Sequence, residues 1–179
     1  MGIFVTSARA PSGSVKFLAH RASKELEVEC VDKLRVGVLG LRRGASHLRN
    51  MLRLENVEVI GACDRLPALR DRAAGLVGDR STKILTDFDE LLALKPDAVV
   101  IASNGKRQVK HAIQAMEAGC AVLSEVPGAY TLEEVVRLRA AVEHTGCFYM
   151  FGENACFWDS MRYWRKWVME GRLGPVSMA

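Results

Sequence analysis

Nowhere in its 179 residues does the chain hold an apolar run near the 18 or so residues that cross a bilayer. Its amino terminus also lacks the charged start and apolar core of a secretory signal. Met1-Gly2-Ile3-Phe4-Val5-Thr6 fits the spacing for amino-terminal acylation, a pattern short enough to be common by chance. No C-x-x-C pair occurs, and no cysteine has a histidine at metal-ligand spacing. The five cysteines, Cys30, Cys63, Cys120, Cys147 and Cys156, are odd in number and widely spread, three of them in apolar strand-like runs. Buried reduced thiols, a reducing cytoplasmic setting and no metal site are the expectation, in preference to disulfides or zinc. A net charge of +4 is modest. Arg35, Arg42, Arg43, Arg49 and Arg53 precede the first acid of their stretch, Glu55, but no aromatic interleaves them and no helix-turn-helix or zinc pattern accompanies them. Nucleic acid and membrane are therefore excluded as partners, and the arginines read as a solvated helix face.

With 49% hydrophobic and 26% charged residues, the chain can bury one substantial core. Residues 1–33 have weak periodicity, a loose Ala10-Pro-Ser-Gly-Ser14 stretch and the alternating Lys24-Glu-Leu-Glu-Val-Glu29, and read as a leader without assignable chemistry. Strands are predicted at 34–39, 57–63, 83–85, 98–102, 120–124 and 147–151. The longer apolar ones lack strict alternation, as strands covered on both faces should. Helical segments lie between them. Asp87 with Glu90, and Thr131-Leu-Glu-Glu134 as a capping box, open two of these. No repeat or low-complexity tract interrupts the series, so an α/β fold with a doubly wound parallel sheet is the economical topology, its ligand cleft at the carboxyl ends of the strands.

Leu34-Arg-Val-Gly-Val-Leu-Gly-Leu-Arg-Arg-Gly44 followed by Val57-Glu-Val-Ile-Gly-Ala-Cys-Asp64 reads as the opening βαβ unit of a dinucleotide-binding fold. An apolar run enters a glycine turn, a helix-length segment follows, and a second apolar run stops at a carboxylate about 20 residues on, where such a group meets an adenosine ribose. A Gly-x-x-x-Gly pair alone suits any tight turn; the strand, helix and acid around it carry the reading. Gly40 lets the backbone approach a pyrophosphate, Gly44 lets the helix press on its strand, and Asp64 offers two oxygens to ribose hydroxyls. Such an acid repels a 2'-phosphate, while the adjacent Arg65 softens that repulsion, so NAD is favoured and NADP stays open. Where the usual fingerprint has its second glycine the chain has Arg42 and then Arg43. The Arg42 side chain either points away or lays its guanidinium on the phosphates.

Several further segments carry a resemblance: Asp87-Phe-Asp-Glu-Leu-Leu92, Pro96-Asp-Ala-Val-Val-Ile-Ala102, Ala115-Met-Glu-Ala-Gly119, Val122-Leu-Ser-Glu125 and Glu153-Asn154. With Val36-Gly-Val-Leu-Gly40 and Cys63-Asp64, they make residues 34–179 resemble the amino-terminal half of the glucose-fructose oxidoreductase / inositol dehydrogenase / MocA oxidoreductases. The resemblance implies a Rossmann domain over 34–154 and, in 155–179, a linking helix and the first strand of a truncated substrate domain. It implies NAD, or NADP, as cofactor, held by Gly40, Gly44 and Asp64, with Ser103 and Asn104 on the ribose side and Glu125 near the nicotinamide; Leu41, Arg42 and Arg65 are further cofactor-site candidates beside the bend. Two departures stand out. The family usually reads Glu-Lys-Pro where this chain has Glu125-Val126-Pro127, and valine can neither donate a hydrogen bond nor stabilise an alkoxide. Glu125, Glu153, Asn154 or a group outside the chain are the candidates for its replacement. The chain is also about half the size of a two-domain member.

The last predicted helix carries Phe157, Met161, Trp164 and Val168 on one stripe, with Trp158, Tyr163 and Trp167 around the rest. Packing of the stripe on the sheet is expected, with further cover from an absent domain or a second copy of the chain. Two functional readings follow. One is hydride transfer between nicotinamide and a sugar- or cyclitol-type hydroxyl or carbonyl, this chain alone being inactive. The other is a dinucleotide-binding sensor or subunit without catalysis.

Overall fold

The computed structural model describes residues 33–175. The predicted leader, apart from Lys33, the acylation pattern and almost all of the carboxyl-terminal strand expected after Gly174 lie outside that range.

Six strands alternate with helices: β1 Leu34–Leu39, α1 Gly44–Met51, β2 Val57–Cys63, α2 Pro67–Val77, β3 Lys83–Leu85, α3 Phe88–Ala93, β4 Ala98–Ile101, α4 Gly105–Glu117, β5 Ala121–Ser124, α5 Leu132–Thr145 and β6 Tyr149–Phe151. A single 3-10 turn, Ala155–Phe157, leads into α6, Asp159–Met169. The sheet order is β3-β2-β1-β4-β5-β6, and every neighbouring pair is parallel. This is the doubly wound arrangement expected from the sequence. The chain leaves β1 toward one edge, returns, and fills the other edge from β4, so the order reverses between β1 and β4 and opens a crevice at their carboxyl ends.

Alternation along the strands feeds two cores. Val36 and Val38 of β1, Val59 of β2 and Val100 of β4 face Leu48 of α1 and Ala73 and Val77 of α2. Leu39, Cys63, Val99 and Ile101 face the other way, onto Leu91, Val109, Ala112 and Met116 of α3 and α4. Covered on both sides, the strands need no polar positions, which is why they read as unbroken apolar runs. Glycine sets the depth of one helix: a Cβ on Gly61 would lie 2.5 Å from Leu91 Cδ1. Leu91 of α3 therefore packs over the space a side chain at Gly61 would take, and any Cβ there would push it aside.

The capping boxes at Asp87 and Thr131 are both present. Predicted strands overrun the observed ones at β5 and β6 for local reasons. The Cys120 amide donates to Ala115 O at the exit of α4, and that of Cys147 to Thr145 Oγ1 in the turn after α5, so neither residue has yet joined the sheet.

Two expectations are corrected. The stripe on α6 does not pack against the sheet: no residue of α6 is buried, and Phe157, Trp164 and Val168 are 72%, 53% and 42% exposed. The helix follows β6, the edge strand of the sheet. Nor are all thiols buried. Cys63 and Cys120 are, and burial, with help from nearby acids, pushes them up to about 12 and about 11. Cys147 is half-buried and Cys156 exposed; Cys30 lies outside the described residues. No helix among the described residues is long and apolar enough to cross a membrane.

Candidate functional site

The bend after β1 is built by hydrogen bonds to the end of β2. The Gly40 amide donates to Cys63 O at 2.8 Å, and Gly40 O accepts from Gly44 N at 3.1 Å, which starts the turn into α1. Gly40 has φ +86°, where an L side chain is strained. The crowding around it has a different source from the one expected. A Cβ there would lie 2.4 Å from Ala102 O and 2.8 Å from Ser103 N, so the missing side chain admits the exit of β4 as well as any ligand. Gly44 is buried against Val38, a Cβ there falling 3.1 Å from Val38 Cγ1, as the close helix-to-strand packing requires.

Asp64 turns toward this bend. Its Oδ2 accepts from Leu41 N at 2.8 Å and its Oδ1 from Leu66 N at 2.9 Å, while Arg70 donates to its backbone oxygen at 2.8 Å. Each carboxylate oxygen keeps a second acceptor site for a ligand hydroxyl. Leu41 is buried, but Arg42 and Arg43 are exposed, and among the described residues neither of their backbone amides donates to a protein acceptor. Two free amides at a glycine bend, with a carboxylate at the end of the next strand, match the charges of a dinucleotide: donors for its diphosphate and acceptors for its ribose. The residues present fit such a cofactor. The Arg42 guanidinium has no partner among the described residues, nor has that of Arg65.

At the exit of β4, Ser103 Oγ lies 2.9 Å from His111 Nδ1. Burial, then the charges of Arg107 and Lys110, push the His111 imidazolium below its ordinary value, which favours a neutral ring able to accept the serine proton. Asn104 is exposed and caps α4, its Oδ1 accepting from Lys106 N at 3.2 Å.

Glu125 follows β5 and is 6% exposed. His47 Nε2 lies 2.6 Å from its Oε1, and Arg43 Nε donates to the same oxygen at 3.3 Å. Burial alone would raise its carboxyl, but the His47 hydrogen bond, the Arg43 charge and the Val126 amide outweigh it and hold the group below the usual carboxylate range. Behind it, Gln108 donates to Glu125 O and to Ser124 Oγ. Arg43, His47 and Gln108 were not among the sequence candidates. Their signal was the spacing of four between Arg43 and His47, which puts both on one face of α1 beside the glycine bend.

Val126 is 43% exposed, directly before Pro127. Glu153 and Asn154 emerge beyond β6, both exposed, and Glu153 Oε1 is engaged by the Ala155 amide at 2.6 Å. Asp64, Gly40, Leu41 and Gly44 thus come together at one bend. Glu125 joins them through Arg43 and His47, and Glu153 and Asn154 stand at the sheet edge.

A profile of the oxidoreductase family with the NAD-binding Rossmann fold matches residues 34–153. Among curated proteins the chain is 29% identical over 179 residues to glycosyl hydrolase family 109 protein 2 of Akkermansia muciniphila, with 95% of this chain and 37% of that protein aligned. It is 31% identical over 172 residues to glycosyl hydrolase family 109 protein 1 of Bacteroides thetaiotaomicron, covering 86% and 36%. Similar solved structures include apo scyllo-inositol dehydrogenase from Lactobacillus casei, with TM-score 0.70, 25% identity, and 82% of this chain and 44% of that one covered. Another is myo-inositol 2-dehydrogenase from Lactobacillus plantarum, with TM-score 0.71, 25% identity and coverage of 81% and 43%. The chain spans about a third of the length of these curated relatives and under half of the solved ones.

Proposed function

Because this chain belongs to the glucose-fructose oxidoreductase / inositol dehydrogenase / MocA family of oxidoreductases, with its NAD-binding Rossmann domain, we propose that it is the cofactor-holding half of an enzyme acting on a sugar or cyclitol. One observation carries the reading: the Asp64 carboxylate closes onto Leu41 N at the glycine bend, at the point where the sheet order reverses. When bound, NAD supplies a hydride acceptor and donor for a carbinol carbon of the substrate, and NAD-dependent glycosidases use the same cofactor on glycosides. The relatives named for dehydrogenation of inositols and those named as glycosyl hydrolases both support a polyhydroxylated ring as the substrate.

The chain's own residues hold and orient. Asp64 takes the adenosine ribose and disfavours a 2'-phosphate, so NAD is the preferred form. Ser103, its hydroxyl paired with His111 Nδ1 at 2.9 Å, keeps a lone pair free to accept from the ligand. Glu125 is committed to Arg43 and His47, which leaves it poorly suited to move a proton to substrate, and the Val126 side chain has nothing to donate. The acid-base group for the hydroxyl is then Glu153, Asn154 or a group outside the described residues. A second reading, a dinucleotide-binding sensor or subunit, is favoured by that same valine.

Titration of the chain with NADH and NADPH, followed by tryptophan fluorescence, tests the cofactor site. Asp64→Ala should weaken NADH about tenfold, the worth of one charge-assisted hydrogen bond. Failure of the unaltered chain to bind either nucleotide at millimolar concentration would end the proposal. Turnover of cyclitols, free sugars or aryl glycosides by the protein read through its full coding frame separates enzyme from sensor.

A further inference from the structure

We propose that Arg43 is the side chain that grips the cofactor's diphosphate, and that Glu125 and His47 are positioning residues which aim it; the proposal rests on the cofactor reading above. Arg43 is the residue from which α1 starts, beside the free amides of the bend, and no acid occupies the first turn of that helix to compete for an anion. Its side chain is 62% exposed, so a ligand can reach it. Its only polar partner among the described residues is Glu125 Oε1, met through Nε at 3.3 Å, which leaves the two terminal nitrogens, the fork that matches a phosphate edge, without a protein acceptor.

What separates Arg43 from Arg42, also exposed, is the anchor. Glu125 is almost fully buried and cannot follow solvent. Its Oε1 is pinned by His47 at 2.6 Å, its Oε2 takes the Val126 amide at 3.3 Å, and its backbone oxygen takes Gln108. A guanidinium tied at Nε to a fixed carboxylate has lost most of its freedom before the ligand arrives, so less is lost on binding. The anchor also has to be neutralised, since a bare carboxylate would repel the diphosphate. His47 and Arg43 together offset it. His47, one helical turn beyond Arg43, therefore acts on the ligand only through Glu125 and Arg43.

The alternative is a staple that merely ties α1 to the end of β5. Affinities of the 179-residue chain for NADH, ADP-ribose and adenosine, in buffers of low and high salt, distinguish the two. Arg43→Gln should weaken NADH and ADP-ribose about tenfold, flatten their salt dependence and leave adenosine unchanged. Arg43→Lys, which keeps the charge without the fork, should recover only part of the loss. His47→Gln should weaken the same two ligands by a smaller factor, and that effect should vanish in the Arg43→Gln background. Equal weakening of all three ligands, or a His47→Gln effect that persists without Arg43, would overturn the clamp while leaving the cofactor reading intact. Absence of NADH binding by the unaltered chain would overturn both.

Discussion

Replacing Gly40 by alanine tests the bend with one carbon atom. Two costs can be worked from the structure. The backbone has φ +86°, and an L residue there costs about 1–2 kcal/mol. The new Cβ would also fall 2.4 Å from Ala102 O and 2.6 Å from Ala102 C. These are backbone atoms that cannot rotate aside, and the Ala102 amide is itself bonded to Leu39 O at 2.8 Å, so relief means prising β4 from β1, about 1–3 kcal/mol more. The sum, about 2–5 kcal/mol, is a large share of the 5–15 kcal/mol of a typical domain. At roughly 2–4 °C per kcal/mol, the melting temperature followed by circular dichroism should fall by about 4–20 °C. Gly119 supplies the control: its φ is +84°, yet a Cβ there meets nothing within 4 Å, so Gly119→Ala reports the backbone cost alone. Gly40→Ala should exceed it by the steric part and should weaken NADH as the amides shift. Equal melting temperatures for the two variants would refute the argument that β4 crowds the bend.

The remaining predictions concern the buried acid and a helix start. The Glu125 carboxyl sits below its ordinary 4.5, where the His47 hydrogen bond and the Arg43 charge overcome burial. A group depressed by folding contributes stability that is complete above its unfolded value and is lost as pH falls through its folded one. Urea melts should therefore show the parent losing more stability than Glu125→Gln as pH drops below about 4.5; parallel losses would mean that this carboxylate is not held by its partners. At α5, Thr131 Oγ1 accepts from Glu134 N at 3.1 Å and Glu134 Oε2 takes the amides of Thr131 and Tyr130 at 3.3 and 2.8 Å. Thr131→Ala should cost about 1 kcal/mol, or about 2–4 °C, with Thr131→Ser restoring most of it; an unchanged melt would show that the box carries no stability.

How far each of these features could be read from the chain alone follows from the range of the force behind it. The capping boxes at Asp87 and Thr131 close within three residues, and an apolar run buried on both faces needs no distant partner to be recognised, so both were legible. The bend was legible for a related reason: a positive φ is a demand of the local backbone, and glycine answers it. The atoms that make Gly40 indispensable were not, since Ala102 is brought beside it only by the pairing of β1 with β4. The network around Glu125 is more remote still, its partners lying 78 and 82 positions away. A glutamate after a strand is, by local chemistry, a solvated turn residue, and only closure of the sheet buries it and makes counter-charges necessary. α6 failed in the opposite direction. Its stripe has the period of a packed helix, but periodicity specifies an apolar face without specifying its cover, and none of its residues is buried. Local geometry thus places the bend, while the side chain that aims at it depends on a charge that folding itself has made costly. Substitution of the exposed Arg43 should therefore act on the ligand more than on the fold, whereas Gly40→Ala should act on both together.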